Sequence, residues 1–312
     1  MKFRAILIVV AAILLLIIVP VVFAQVSGKE DRQLQGASLA ETNYEEIYFH
    51  NNVQDLQLAG MIFLPEDDGP YPAVVIIHGS GTSRRDNRWY VTLAHYLQEN
   101  GIAVLLPDKR GSVNSEGDWH TASFEDLATD TAAAVEYLKG RSDLSISQIG
   151  IVGLSQGGHL APVAAALVPD ATFLVNIVGG TVPLHEQLLY EENQNLRQMG
   201  LLPGISNLIA YPAAWSIRDI RQKEFWGAVG NFDPLPYWQD LDIEALALYG
   251  EIDSNVSSAR SAELLRSLNK ENIKVKVYEG SGHALQDPEG QGNDLIREEA
   301  LHAVKEFIFS IE

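Results

Sequence analysis

Six short apolar runs, spaced by amphipathic stretches of helical length, constrain this chain more than any other feature. AVVII, IAVLL and IGIVGL are followed by amphipathic stretches at 88–99, 124–138 and 156–167. ATFLVNI, ALALY and IKVKVY continue the series, with further helical stretches near 258–268 and 294–309. Strands that alternate with helices in this way are covered on both faces, since each crossover lays a helix on the sheet. The expected fold is therefore α/β, with a mostly parallel central sheet and helices on both faces. Ahead of the series, residues 46–64 alternate like strands around the turn residues Asn51 and Asn52, which predicts two antiparallel edge strands followed by a polar turn at 65–72.

One stretch breaks the alternation. Residues 181–240 have helical periodicity and lie between two sheet strands, which predicts a helical cap inserted over the sheet's ligand edge. Its tryptophans, Trp215, Trp226 and Trp238, either line the pocket or form the cap's own core. At the other end, Lys2 and Arg4 precede an apolar run over residues 5–24, the pattern of a signal peptide or an uncleaved N-terminal membrane anchor. Both readings export the remainder, as a secreted, periplasmic or tethered protein. Residues 25–43 are polar and aperiodic and read as a linker, which starts the folded domain, 44–312, at about Tyr44.

Composition excludes several chemistries. With 22 basic against 41 acidic residues and a formal charge of -19, neither nucleic acid nor an anionic lipid surface is a suitable partner, and membrane contact is left to the N-terminal segment. The chain has no cysteine, which removes disulfides, thiolate metal ligands and a cysteine nucleophile together.

Chemistry concentrates at the predicted carboxyl ends of the strands. Gly153-Leu154-Ser155-Gln156-Gly157 follows an apolar strand and opens a helix, the setting in which a sharp turn exposes a serine hydroxyl and a helix N-terminus faces a developing oxyanion. A serine nucleophile needs a base, and the base needs an acid to hold its tautomer. Asp253, in Gly250-Glu251-Ile252-Asp253, follows one strand, and His283, in Gly280-Ser281-Gly282-His283, follows the next. Asp253 is preferred to Glu251 as the acid. The loop His78-Gly79-Ser80-Gly81 has residues small enough to let its backbone approach a carbonyl, so the N–H groups of Ser80 and Gln156 are the expected oxyanion donors.

With HGSG at 78–81, DKRG at 108–111, GLSQGG at 153–158, DPLPYW at 233–238, GEID at 250–253 and GSGH at 280–283, the chain from about Tyr44 onward resembles the α/β-hydrolases, among them the dienelactone-hydrolase-like and acyl-peptidase-like serine esterases. The resemblance implies the α/β-hydrolase fold, a cofactor-free Ser155–His283–Asp253 triad and a small-molecule ester or acyl substrate. Two positions depart from the pattern: Val113 stands where relatives often have glycine, and Ser257 where proline often follows the acid loop.

Other residues carry lesser expectations. His78 orders the oxyanion loop, Asp108 and Arg110 pair to brace the adjacent loop, and His159 packs behind the nucleophile. Arg84, Arg85 and Asp86 read as a solvated loop, and Glu191 and Glu192 as a solvated helix face. His185-Glu186 lacks the second histidine of a zinc-protease helix, and neither a P-loop nor a dinucleotide fingerprint is present. The competing functions are a serine peptidase or aminopeptidase with the same triad and a surface-tethered binding protein that keeps the fold without turnover.

Overall fold

The computed structural model describes residues 35–288 and 295–311. The apolar segment 1–24 and most of the linker lie outside the described residues, and among the described residues no helix is long and apolar enough to cross a membrane. The expected linker ends sooner than its composition implies. Ala37 is buried, its N–H donating to Thr92 Oγ1 at 2.9 Å, and a 3-10 turn at Leu39–Glu41 is closed by a Ser38/Glu41 capping box. Residues 35–43 are therefore docked, because Gly36 leaves room for close approach to Thr92, a contact that hydropathy alone does not report.

Two antiparallel strands, β1 (Glu45–Asn51) and β2 (Leu56–Phe63), open the domain. Of these two, β1 alone is an edge; β2 also pairs with the fourth strand, which is why it is buried almost throughout, unlike the alternating β1. There follow β3 (Tyr71–Ile77), α1 (Arg88–Glu99), β4 (Ala103–Pro107), α2 (Phe124–Gly140), β5 (Ile146–Leu154), α3 (Gln156–Leu167) and β6 (Ala171–Ile177). The insertion holds α4 (Leu184–Gln198), α5 (Pro203–Ser216), α6 (Lys223–Val229) and α7 (Leu235–Gln239), with a π-helical turn at Ile217–Arg221. The chain then returns to the sheet through β7 (Glu244–Gly250), α8 (Ser258–Ser267), β8 (Ile273–Tyr278) and α9 (Glu298–Phe309).

The eight strands lie in the order β1-β2-β4-β3-β5-β6-β7-β8, antiparallel at β1, β2 and β4 and parallel elsewhere. This is the α/β-hydrolase fold anticipated from the sequence. Two apolar cores flank the sheet: Val75, Ile77, Leu105, Ile151 and Leu174 point to the α2/α3/α8 side, and Val74, Ile76, Val104, Val152 and Val175 to the α1/α9 side. Alternation along each strand sends successive residues to opposite faces, so nearly continuous apolar runs are required by two-sided burial. All parallel strands end on one edge, where Ser155, Asp253 and His283 follow β5, β7 and β8.

Candidate active site

Ser155 lies in the turn between β5 and α3 with φ 54° and ψ -119°, a conformation that costs a side-chain-bearing residue of order 1–3 kcal/mol. Neighbouring glycines make the turn possible. A Cβ on Gly153 would collide with the Gly157 carbonyl oxygen, and one on Gly157 with that of Ile77. The strained turn projects the hydroxyl beyond the sheet edge, where Oγ lies 2.9 Å from His283 Nε2.

Two loops that touch each other position the partners. Gly250 is packed against the backbone of Ser281 and Gly282, which brings the loop after β7 against the loop after β8. His283 Nδ1 donates to Asp253 Oδ2 at 2.8 Å, so Nε2 is left as the acceptor for the serine hydroxyl. Asp253 is buried, and its other oxygen accepts from the N–H groups of Asn255 and Val256 at 2.8 and 2.9 Å. Tyr190 Oη, from the cap, donates to the Asp253 carbonyl at 2.8 Å. Trp89 donates through Nε1 to the Ala284 carbonyl at 3.2 Å, and its ring lies 5.8 Å from that of His283. Glu251 instead accepts from the Gly280 N–H, away from the histidine.

The loop 78–81 lies against the serine, since a Cβ on Gly79 would meet Ser155 Cβ at 3.2 Å. His78 donates from Nε2 to the Pro107 carbonyl at 2.6 Å, and the Gly79 N–H donates to Tyr90 Oη at 2.8 Å, so the loop is held from both sides. The backbone N–H groups of Ser80 and Gln156 take no acceptor from the described residues. Both residues, with Gly81, border the same cavity as Ser155 and His283. His159 donates from Nδ1 to the Ser155 carbonyl at 3.3 Å, one helical turn back along α3. Burial lowers both His78 and His159 to about 4, which keeps them neutral at physiological pH.

Charged neighbours pair differently from the expectation. Asp108 and Arg110 do not bond to each other. Asp108 accepts from Arg85 Nε and Nη2 at 3.0 and 2.8 Å, and Arg110 donates to Asp130 on α2 at 2.7 and 2.8 Å. Each instead reaches an arginine or aspartate of another element, Asp108 the loop after β3 and Arg110 the helix α2. Arg85 is accordingly not solvated, whereas Arg84 and Asp86 pair with each other in the exposed loop.

The cavity has a volume of about 820 Å³ and is roofed by the cap, with Leu188 and Glu191 from α4 and Phe225 and Trp226 from α6 in its wall. Trp119 and His120, from the connection between β4 and α2, also line it. The three candidate tryptophans part company here. Trp226 lines the cavity, Trp238 is wholly buried in the core beneath the cap, and Trp215 is 54% exposed on α5. Glu191 is also displaced from its expected place. It lines the cavity and accepts weakly from Asn255 at 3.4 Å, and burial raises its carboxyl above the ordinary range, with Glu192 adding to the shift. Lys109 is the other residue the motif reading passed over: a partly buried ammonium between the 78–81 loop and Gln156, within the DKRG motif that had drawn attention only to its flanking charges.

Residues 55–239 match the X-Pro dipeptidyl-peptidase (S15) family. The chain is 28% identical to esterase EstD of Thermotoga maritima over 268 residues, covering 81% of this chain and 64% of that protein. It is 24% identical to the mitochondrial acyl-coenzyme A thioesterase 2 of Rattus norvegicus, over 76% of this chain and 50% of the relative. The chain thus spans half to just under two thirds of these relatives' own length. Among solved structures, a Pyrococcus furiosus esterase superposes with TM-score 0.66 at 18% identity, covering 89% of this chain and 98% of that one. Est1E of Butyrivibrio proteoclasticus, with ferulic acid bound, superposes with TM-score 0.56 at 19% identity over 85% of this chain and 98% of its own.

Proposed function

This chain belongs to the X-Pro dipeptidyl-peptidase (S15) family, and from that premise we propose that it is a serine hydrolase that cleaves carboxylic ester or related acyl bonds. The observation that carries the reading is the hydrogen-bonded chain from Ser155 Oγ to His283 to Asp253, at 2.9 and 2.8 Å, opening into the cavity. Ser155 attacks the acyl carbon as His283 Nε2 takes its proton, and Asp253 holds the imidazole in that tautomer and stabilises the imidazolium. The N–H groups of Ser80 and Gln156 receive the oxyanion. His283 returns the proton to the departing alcohol, and water, deprotonated by the same nitrogen, releases the acid and regenerates the serine. Trp226 and Phe225 form the apolar wall against which the acyl group packs.

Ester cleavage is favoured over peptide cleavage by the similarity to esterase EstD and to an acyl-coenzyme A thioesterase. A second reading, a peptidase acting on short peptides, is favoured by Glu191, a carboxylate in the cavity wall suited to a substrate ammonium. Comparing p-nitrophenyl esters of increasing acyl length with aminoacyl p-nitroanilides separates the two. Ser155→Ala is expected to lower kcat roughly a millionfold without loss of the folded state. Retained hydrolysis in that variant would refute the mechanism, and failure of a fluorophosphonate probe to label Ser155 would revive the binding-protein alternative. Export is part of the proposal, supported by Lys2 and Arg4 ahead of the apolar run at 5–24. Fractionation of cells expressing the full chain and a form lacking residues 1–24 tests it: the full chain outside the cytoplasm and the shortened one inside is the expected result.

A further inference from the structure

We propose that Lys109 is a positioning residue for the oxyanion hole, clipping the Gly79–Ser80 peptide to the Gln156 side chain so that a positive charge stands behind the Ser80 N–H and the residues bearing the two donors are held together. The inference rests on the hydrolase reading of the site. Lys109 Nζ donates to the Gly79 carbonyl at 3.0 Å and to Gln156 Oε1 at 2.7 Å. The Gly79–Ser80 peptide is trans, so its C=O and N–H point in opposite directions. An ammonium on the carbonyl side therefore directs the Ser80 N–H the other way, toward the cavity that Ser80 shares with Ser155. It also polarises that peptide, which makes the N–H a stronger donor to negative charge. The second bond ties down the residue whose own backbone N–H is the other expected donor. One side chain thus links two elements distant in sequence, and its charge acts on an oxyanion that exists only after attack, the kind of interaction that raises kcat.

The surroundings suit this role and no obvious alternative. Among the described residues no carboxylate lies within ion-pair reach of Nζ, so the charge has no counter-ion and its two acceptors are the Gly79 carbonyl and the Gln156 amide. The acids of its own neighbourhood are committed elsewhere, Asp108 to Arg85 and Asp130 to Arg110. The remaining titratable neighbours are His78 from the loop after β3 and His120, whose ring stacks on Trp119. The ammonium lies 4.6 Å from the centre of the Trp119 ring, which supplies the cation with a π face in place of water. Burial lowers Lys109 to about 7, so its charge is present below that pH and lost as pH rises through it.

The test measures kcat, KM and their pH profiles for p-nitrophenyl ester hydrolysis by wild type, Lys109→Met and Lys109→Arg, with rates per mole of fluorophosphonate-reactive serine. Removing a direct oxyanion donor typically costs about 10²–10³ in kcat, and a group acting through the donors is expected to cost about 10–100-fold. Lys109→Met should show that loss in kcat with KM changed less than about threefold. It should also lack the fall in kcat that wild type shows as pH rises past about 7, and Lys109→Arg should recover part of the rate and move that fall to higher pH. Wild-type kcat and pH profile in Lys109→Met would overturn the proposal while leaving the hydrolase reading intact. Should Lys109→Met not fold, an identical alkaline profile in wild type and Lys109→Arg would overturn it just as well. A wild type that neither turns over nor labels at Ser155 defeats the hydrolase reading, and this inference with it.

Discussion

The sheet edge and the cap above it are built on different terms. Along the edge each group is held by several others: Asp253 by two N–H donors and His283, the 78–81 loop by Tyr90 and Lys109, Arg110 by Asp130 and the Asp126 carbonyl. In the cap, α5 turns Leu208, Tyr211 and Trp215 to solvent, and the polar turn after it places Arg221 and Gln222 beside apolar cavity wall. The edge needs atoms fixed within fractions of an ångström, because proton transfer and oxyanion stabilisation fail with small displacements. The cap needs only to exclude water and offer apolar area, which many sequences do equally well. Under the proposed function, the chemistry falls to the edge and substrate choice to the cap.

Three measurements would break or sharpen that contrast. The largest effect is expected from two tryptophans of the same insertion. Trp238, wholly buried where α7 meets the core, should cost about 3–5 kcal/mol on truncation to alanine, whereas Trp215→Ala should stay within about 0.5 kcal/mol. Denaturant titration of the two variants decides it, and equal costs would make the cap one unit with the core. A smaller effect concerns the edge. His78 and His159 are buried neutral, lowered to about 4, so the unfolded chain binds more protons than the folded one between that pH and about 6.5. Their contribution is complete above about 6.5 and is lost as pH falls toward 4, on the order of 3 kcal/mol each. Thermal melts from pH 7 to 4 on wild type and His159→Phe should show a shallower acid decline in the variant. The smallest effect tests the cap's role in selection. Phe225→Ala should raise KM for the longest acyl ester about tenfold and leave acetyl ester turnover within about twofold, reflecting lost apolar contact alone. A uniform fall in kcat across acyl lengths would tie the cap to the chemistry.

Local pattern carried much of this protein. The alternation of apolar runs and amphipathic stretches announced the sheet and its helices, because two-sided burial demands those residues wherever the strand falls in the order. The triad was legible because each member occupies a turn at a strand's carboxyl end, with glycines where backbones must touch. Val113 shows the same logic: the position where the resemblance leads one to expect glycine has φ 52°, a left-handed conformation that valine adopts only under strain.

What the chain alone could not disclose is which groups meet across elements. Asp108 and Arg110, two apart in sequence, were expected to pair and instead reached Arg85 and Asp130. Glu191 looked like one of two solvated acids, and only the packing of α4 over the sheet put it in the cavity wall. Trp215, Trp226 and Trp238 had the same helical setting, yet one is exposed, one lines the cavity and one is core. Lys109 drew no expectation of its own within DKRG, and only the fold set it between Gly79 and Gln156. Periodicity reports that a face is buried and turn chemistry reports where the chain bends, since both are properties of neighbours in sequence. The partner of a charge or a ring depends on the angles at which separate elements pack, and those emerge only when the two cores close around the sheet.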